Sequence, residues 1–232
     1  MTLPNFPQLD MFSAGINALY GVLVAGQPSH NRNYTLAGLL IMAFFGGIGG
    51  GVTRDVLLND IPGPFRDPYY LLCCILMGLV GLAIYRYAAT REERFRTRTL
   101  AFFKSFSLPW FAILGAHKAL EHGLNPWSAI LIGVIATNAG GVLIDVLSGV
   151  TPDLVKPSEQ LVTASVLAGA VYTGLWELTK GMGFFPVTLI AVAVTFVFRI
   201  FAVREHFPSI VPIACPPEGP GVLPVGGPDR RG

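Results

Sequence analysis

Residues 44–60 read FFGGIGGGVTRDVLLND and carry five glycines within six positions, inside an apolar run that ends in charged residues. Each glycine in a helix interior costs roughly 1 kcal/mol relative to alanine. A continuous helix is therefore not expected across residues 46–51, and the segment predicts a helix that breaks or kinks at its glycines.

A second copy of this pattern follows ninety residues later in NAGGVLIDVLSGVTP, residues 138–152. Residues 50–62 and 140–152 are identical at seven of thirteen aligned positions. The alignment pairs Asp55 with Asp145, whereas Arg54 is paired with Ile144. Self-similarity at a fixed spacing indicates an internal repeat.

The composition predicts an integral membrane protein. Of the 232 residues, 52% are hydrophobic and only 13% are charged, whereas soluble domains carry about 25% charged residues. The formal net charge of +2 does not favour nucleic acid as a partner. The first ten residues hold no basic residue, so no signal peptide is expected and the first apolar segment should stay in the mature chain.

Seven apolar segments are long enough, or nearly so, to cross a hydrocarbon core of about 30 Å. They are residues 9–26, 36–58, 68–86, 107–124, 127–149, 160–179 and 184–203. The repeat spacing groups the first six into repeats at about 9–86 and 107–179, with 184–203 left over. Because three spans per repeat is an odd number, the second repeat enters the membrane in the opposite direction. The predicted fold is an all-α membrane domain over residues 1–203, with seven transmembrane helices in two inverted repeats plus a seventh helix.

Basic residues predict the orientation. Eleven Lys and Arg residues lie in the loops after spans one, three and five and in the tail, against Arg66 and Lys180 on the other side. This bias places the N-terminus outside and the C-terminus in the cytoplasm of the cell (inner) membrane. The tail, residues 204–232, is rich in Pro and Gly and is expected to be disordered.

Charged residues inside the predicted spans mark the candidate site. Arg54 and Asp55 follow the first glycines, and Asp145 follows the second set. A charge near the bilayer centre costs on the order of 2.5–3.5 kcal/mol, so it is normally paired or hydrated. With the polar Asn138, these residues are expected to line a water-filled path between spans two and five. A structural Arg54–Asp55 pair or an interfacial cap is the alternative.

Lys118 is expected near the middle of span four, facing that path. The alternative is a structural ion pair with Glu121, three residues on. His117 and His122 are five residues apart rather than the four that share a helix face, so no metal site is predicted.

The glycines admit two interpretations. A break at membrane depth exposes backbone that must face protein or water, which favours a path. Small residues four apart also allow helices to pack closely, and this alternative needs no path. The glycines concerned are Gly49, Gly50, Gly51, Gly140 and Gly141.

Together these residues resemble the trimeric intracellular cation (TRIC) channel family in its prokaryotic form. The likeness rests on GGIGGGVTRDVLL with its weaker inverted copy, on GAHKAL in span four, and on the plan of three, three and one spans. It covers nearly all of residues 1–203. The same segments are similar to those of bacterial membrane proteins described as glycine transporters.

The TRIC resemblance implies a homotrimer with a pore in each subunit that conducts monovalent cations, chiefly K⁺, without a cofactor. It also implies gating by Arg54 and Lys118 and kinks at the glycines. We expect a K⁺ channel and not an enzyme, with Asp55 and Asp145 balancing the basic charges and with membrane lipid and other copies of the chain as partners. A secondary transporter of a small amino acid such as glycine, and a structural protein whose glycines only pack, are the alternatives.

Overall fold

The regular secondary structure in the part of the chain that the structure describes is helical. The computed structural model describes residues 6–27, 30, 34–89, 93–155, 161–179 and 183–204. In these ranges the helices are α1 (Phe6–Ala25), α2 (Leu36–Leu57), α3 (Gly63–Arg66), α4 (Tyr69–Ala89), α5 (Glu93–Glu121), α6 (Pro126–Leu147), α7 (Leu161–Leu178) and α8 (Phe184–Arg204), with a 3₁₀ turn at Asp153–Val155. The tail expected to be disordered lies outside the described residues except for Arg204.

Six of these helices are long and apolar enough to cross a membrane, namely α2, α4, α5, α6, α7 and α8. The chain is thus an all-helical, multi-pass membrane protein. Helix α1 is not among the six, although it has 20 residues. Fourteen of its residues are buried, because it packs against α2, α4 and α5. The Asp10 side chain on α1 therefore faces protein.

The glycines do not interrupt α2 or α6, so the predicted break at residues 46–51 is wrong. A Cβ atom on Gly50 would lie 2.1 Å from the carbonyl oxygen of Ala136, and one on Gly140 would lie 3.0 Å from that of Gly46. The two helices cross backbone to backbone at these points. This close packing offsets the helix cost of the glycines, which favours the packing interpretation at Gly46, Gly49, Gly50 and Gly140.

Helices α2 and α6 match in their ends as well as in their sequence. Each has 22 residues, and the two begin ninety residues apart. Thr35 caps α2 and Asn125 caps α6, each accepting a hydrogen bond from the backbone N–H three residues on. Beyond the C-terminal ends, Asn59 and Gly149 have φ of 54° and 70°, the left-handed conformation that ends many helices.

Helix α5 begins earlier and ends earlier than predicted. Its apolar stretch covers Arg98–Glu121 rather than residues 107–124. Lys118 therefore lies in the last turn of α5 and not near the middle of a span. The arginines at the start of α5 lower the local hydropathy, which hid the beginning of the helix and shifted the predicted centre.

Candidate functional site

Two polar clusters lie at opposite ends of the helix bundle. The Arg54 cluster lies where α2 and α5 end and α1 begins, and consists of Asp10, Arg54, Asp55, Asp60, Arg66, Tyr70 and Lys118. The Asp145 cluster lies where α6 ends, and consists of His30, Tyr34, Lys104, Asp145, Ser148 and Asp153. Lys104 and Lys118 are fourteen residues apart on α5, a separation of about 21 Å along a helix.

Arg54 is fully buried and has two carboxylate partners. Its Nη1 and Nη2 donate to the two oxygens of Asp10 over 2.7 and 3.2 Å, and its Nε donates to Asp55 Oδ1 over 2.7 Å. The Tyr70 hydroxyl donates to Asp10 Oδ2 over 3.0 Å. The guanidinium carbon also lies 5.3 Å from the centre of the Phe6 ring. Bidentate, charge-assisted contacts of this kind fix both position and orientation.

Asp55 joins Arg54 to Lys118. Lys118 Nζ lies 2.8 Å from Asp55 Oδ1 and 2.7 Å from Asp60 Oδ2. Asp60 also pairs with Arg66. The charges along this chain of contacts alternate in sign, with three carboxylates and three bases. The hydrogen bond from Lys118 holds the pKa of Asp60, which lies in the loop after α2, below its usual range.

The alternative pairing of Lys118 with Glu121 does not occur, because Lys118 pairs with Asp55 and Asp60. Glu121 instead lies 3.3 Å from His117 Nε2, one turn earlier on α5. His117 is stacked on Phe184 and its Nδ1 lies 2.7 Å from the Tyr172 hydroxyl. No group of three His, Cys, Asp or Glu side chains that could hold a metal ion occurs within the described residues.

Asp145 has a different set of partners from Asp55. Its Oδ1 lies 3.2 Å from His30 Nε2, and Lys104 Nζ lies 3.0 Å from Asp153 Oδ2. One feature is shared between the two ends, because Asp55 Oδ2 and Asp145 Oδ2 each accept the backbone N–H eight residues on. Asp145 therefore does not contact Arg54 or Lys118. The sequence suggested Asp145 as a carboxylate that balances these bases, but Asp10 is the one that pairs with Arg54.

A cavity of about 60 Å³ lies between the two clusters. A water molecule needs on the order of 10–15 Å³ by this measure, so the cavity has room for a few. Residues from α1, α2, α5, α6, the start of α7 and the 3₁₀ turn line it. The polar ones and glycines among them are Asn17, Tyr20, Gly46, Gly50, Lys104, Ser107, Thr137, Asn138, Gly140, Gly141, Asp145 and Asp153. Of the predicted site residues, Asn138, Asp145, Gly50, Gly140 and Gly141 line the cavity.

The cavity approaches the Arg54 cluster at Gly51. Gly50 and Phe111 line the cavity, and a Cβ atom on Gly51 would lie 3.9 Å from both Phe111 Cε1 and Arg54 Nη2. Arg54, Asp55 and Lys118 themselves are outside the lining. The charged cluster thus stands beyond the end of the cavity rather than along it.

Asp10, His30, Lys104 and Asp153 were missed by the sequence argument. The signal for Asp10 was present, since a lone carboxylate inside an apolar segment requires a partner. Nothing comparable marks His30, Lys104 or Asp153, which lie in loops or in the arginine-rich half of α5. Their roles depend on the folded positions of the α1–α2 and α6–α7 connections.

Known proteins with similar sequences are bacterial membrane proteins. The family model described as "Glycine transporter" matches residues 8–86 and 101–177. A UPF0126 membrane protein of Deinococcus radiodurans is 31% identical over 163 residues, which are 70% of this chain and 72% of the relative. The UPF0126 inner membrane protein YadS of Escherichia coli K12 is 26% identical over 85% of this chain and 91% of its own length.

Solved structures with the same fold are cation channels. The TRIC trimeric intracellular cation channel orthologue from Rhodobacter sphaeroides superposes with a TM-score of 0.73 and 28% identity, over 86% of this chain and 97% of that chain. A prokaryotic TRIC channel crystallised in 0.5 M KCl gives a TM-score of 0.74 at 24% identity, over 87% and 97% of the two chains. The second likeness concerns the fold alone.

Proposed function

This chain belongs to the glycine-transporter family of membrane proteins, and we propose that it is a cation channel with a conduction path in each subunit. The observation that carries the proposal is the cavity at the α2–α6 crossing, which ends close to the Arg54 cluster. Buried polar space inside a membrane protein is costly unless water or ions use it. The likeness to the Rhodobacter sphaeroides TRIC channel supports the same function.

The proposed architecture has seven membrane spans in residues 1–203. Helix α1 is the additional span, since its 20 residues reach about 30 Å. Helices α1, α2 and α4 form one repeat and α5, α6 and α7 the inverted second, with α8 outside both. The ninety-residue offset of the α2 and α6 caps, the equivalent Asp55 and Asp145 contacts and the two ranges matched by the family model support this repeat.

The Asp145 cluster is proposed as the cytoplasmic entrance of the path. The Asp153 side chain is 31% exposed there. Two carboxylates, Asp145 and Asp153, face one ammonium group, Lys104, at this end of the cavity. A concave surface with excess carboxylate raises the local concentration of cations. The proposed permeant ion is K⁺.

The Arg54 cluster is proposed as a closed gate at the outer end. Conduction requires Lys118 to leave Asp55 and Asp60, so that the cavity extends past the end of α2. The Lys118 side chain, on α5, is 12% exposed to solvent. Arg54 is fully buried and is held by Asp10 on another helix. Moving one charge across the membrane changes the free energy by about 2.3 kcal/mol per 100 mV, which is enough to gate such a switch.

We also propose the setting of the channel. The inner membrane is its location, with the N-terminus outside and the C-terminus in the cytoplasm, as the basic residues predict. Self-association into a homotrimer is proposed from the likeness to the trimeric channel orthologue of Rhodobacter sphaeroides. Exposed apolar side chains on α4 and α8, such as Leu72, Leu76, Val194 and Val197, provide surfaces for lipid and for neighbouring subunits.

Secondary transport of a small amino acid is the second candidate. The family description and the mixed charge of the Asp145 cluster favour it, because Lys104 offers a partner for a carboxylate and Asp145 one for an ammonium. In this case the cavity holds the substrate and the two clusters open in turn.

Recordings and uptake with the purified protein separate the two candidates. In planar bilayers with a K⁺ gradient, the channel predicts single-channel current steps and a reversal potential close to that of K⁺. The transporter candidate is tested by uptake of labelled glycine into proteoliposomes that contain no glycine inside. Saturable uptake of labelled glycine, with no current steps at any voltage, overturns the channel proposal.

A further inference from the structure

Two asparagines from different helices line the same cavity. Asn17 lies on α1 and Asn138 on α6, and both belong to the lining. Neither takes part in the Arg54 cluster or in the Asp145 cluster. A side-chain amide inside a membrane helix is costly unless its oxygen and nitrogen both find partners.

Each amide nitrogen is bound to the backbone of its own helix. Asn17 Nδ2 donates to the carbonyl oxygen of Ser13 over 2.9 Å, and Asn138 Nδ2 donates to that of Val134 over 2.7 Å. A carbonyl oxygen only accepts hydrogen bonds, so the nitrogen of each amide must face it. This fixes which way both amides point, and each Oδ1 faces away from its own backbone.

The two amide oxygens have no hydrogen-bond donor within the described part of the chain. Some buried side-chain oxygens and nitrogens in this structure lack both a hydrogen-bond partner and accessible surface, but neither amide oxygen is one of them. The accessible space beside both residues is the cavity. Gly141 adds room there, since a Cβ atom on it would meet nothing within 4 Å.

We propose that Asn17 Oδ1 and Asn138 Oδ1 bind a partly dehydrated monovalent cation inside the cavity. The inference rests on the proposed function, because it gives the permeant ion a resting site on the path. Neutral carbonyl-type oxygens replace water around a large monovalent ion without holding it too tightly to leave. A compact divalent ion prefers carboxylates and more ligands, which lie at the Asp145 end of the cavity.

Thallium is a suitable probe, because Tl⁺ resembles K⁺ in charge and size and scatters X-rays anomalously. Crystals of the full chain grown in Tl⁺ are expected to show an anomalous peak between Asn17 and Asn138. The variant Asn17→Ala/Asn138→Ala should lose it. Thr137→Val is the matched control, since Thr137 lines the cavity but its hydroxyl donates to the Gly133 carbonyl, and its peak should remain.

Asn17→Ser/Asn138→Ser protects the test against misfolding. A serine hydroxyl still donates to the carbonyl one turn earlier, as Ser165 does to Leu161, but it removes the oxygen that faces the cavity. The K⁺ concentration that gives half-maximal single-channel conductance is expected to rise roughly tenfold, the effect of losing a contact to a charged group.

The outcomes distinguish this site from the proposed channel. A Tl⁺ peak lost in both double variants, with the shift in conductance, supports the cation site. K⁺ currents with unchanged saturation in the double variants, or no peak in the original protein, overturn it while the channel stands. A peak in a protein that passes no K⁺ current keeps the site and overturns the channel.

Discussion

Arg54 on α2 donates to both carboxylate oxygens of Asp10 on α1, over 2.7 and 3.2 Å, although 44 residues separate them. Their side chains are 0% and 5% exposed. This pair joins the start of the first helix to the end of the second. It also holds the buried side of the Arg54 cluster, whereas Lys118, on the other side, is partly exposed to solvent. Arg54 and Lys118 are therefore suited to different roles.

The Asp10–Arg54 pair is predicted to be structural. Asp10→Asn leaves a buried guanidinium with one carboxylate, and loss of one partner of a buried pair costs about 3–5 kcal/mol. Thermal unfolding in detergent should show a large fall in Tm. The exposed Glu121→Gln is the control and should change little. Asp10→Asn/Arg54→Met should recover part of the loss, because no unpaired charge remains.

Lys118 is predicted to hold the gate closed. Lys118→Gln removes the charge that bridges Asp55 and Asp60, so open probability at zero voltage should rise and its voltage dependence should become shallower. Single-channel recordings measure both quantities. Lys104→Gln, at the other end of α5, should raise conductance without altering voltage dependence, because it increases the excess of carboxylate at the cytoplasmic entrance. An unchanged open probability and voltage dependence in Lys118→Gln removes its gating role.

Alanine substitutions at Gly50 and at Gly141 are predicted to have different effects on the stability of the protein. Gly50→Ala places a Cβ atom against the Ala136 carbonyl, and overpacking of this kind costs about 1–3 kcal/mol or more. Gly141→Ala meets open space and should be neutral or stabilising by up to about 1 kcal/mol, the helix preference of alanine. The yield of folded protein and its Tm measure both. Equal destabilisation by the two changes contradicts the packing interpretation.

The thermal stability of the protein is predicted to depend on pH through Asp60, a carboxylate in the loop after α2. Its pKa is lowered from the ordinary 3.8, chiefly by the hydrogen bond from Lys118. A lowered pKa contributes stability above the unfolded-state pKa and loses it as pH falls through the folded-state pKa. Tm should therefore drop more steeply below pH 4 in the original chain than in Asp60→Asn. Parallel curves for the two proteins contradict the Asp60–Lys118 contact.

The sequence predicted the all-helical membrane class correctly, because hydropathy is a local signal, and the ninety-residue repeat stays a proposal. It failed at the glycines of α2. Helix propensity alone argues for a break there, whereas the carbonyls of Ala136 and Asn17 that approach those glycines belong to other helices. Tertiary packing decided the outcome, and no single segment contains that information.

The site was predicted in part for a similar reason. Arg54, Asp55 and Lys118 stand out as charges in apolar runs, and the structure brings these three together. Asp145 was grouped with them, but it lies at the opposite end of the bundle, beside His30. The depth of Lys118 was misjudged because the span boundaries of α5 were shifted. Partners that depend on the crossing of helices were beyond the reach of sequence.

We propose that cations cross the membrane through the cavity at the α2–α6 crossing, and that the Arg54 cluster closes this path. Single-channel K⁺ current through Gly141→Cys, before and after a cationic thiol reagent added from the Asp145 side, tests it most directly, since Gly141 lines the cavity and has room for the new side chain. The reagent should abolish or strongly reduce the current in this variant and not in the original chain with its own cysteines. K⁺ current that persists unchanged after complete modification of Cys at this position contradicts it.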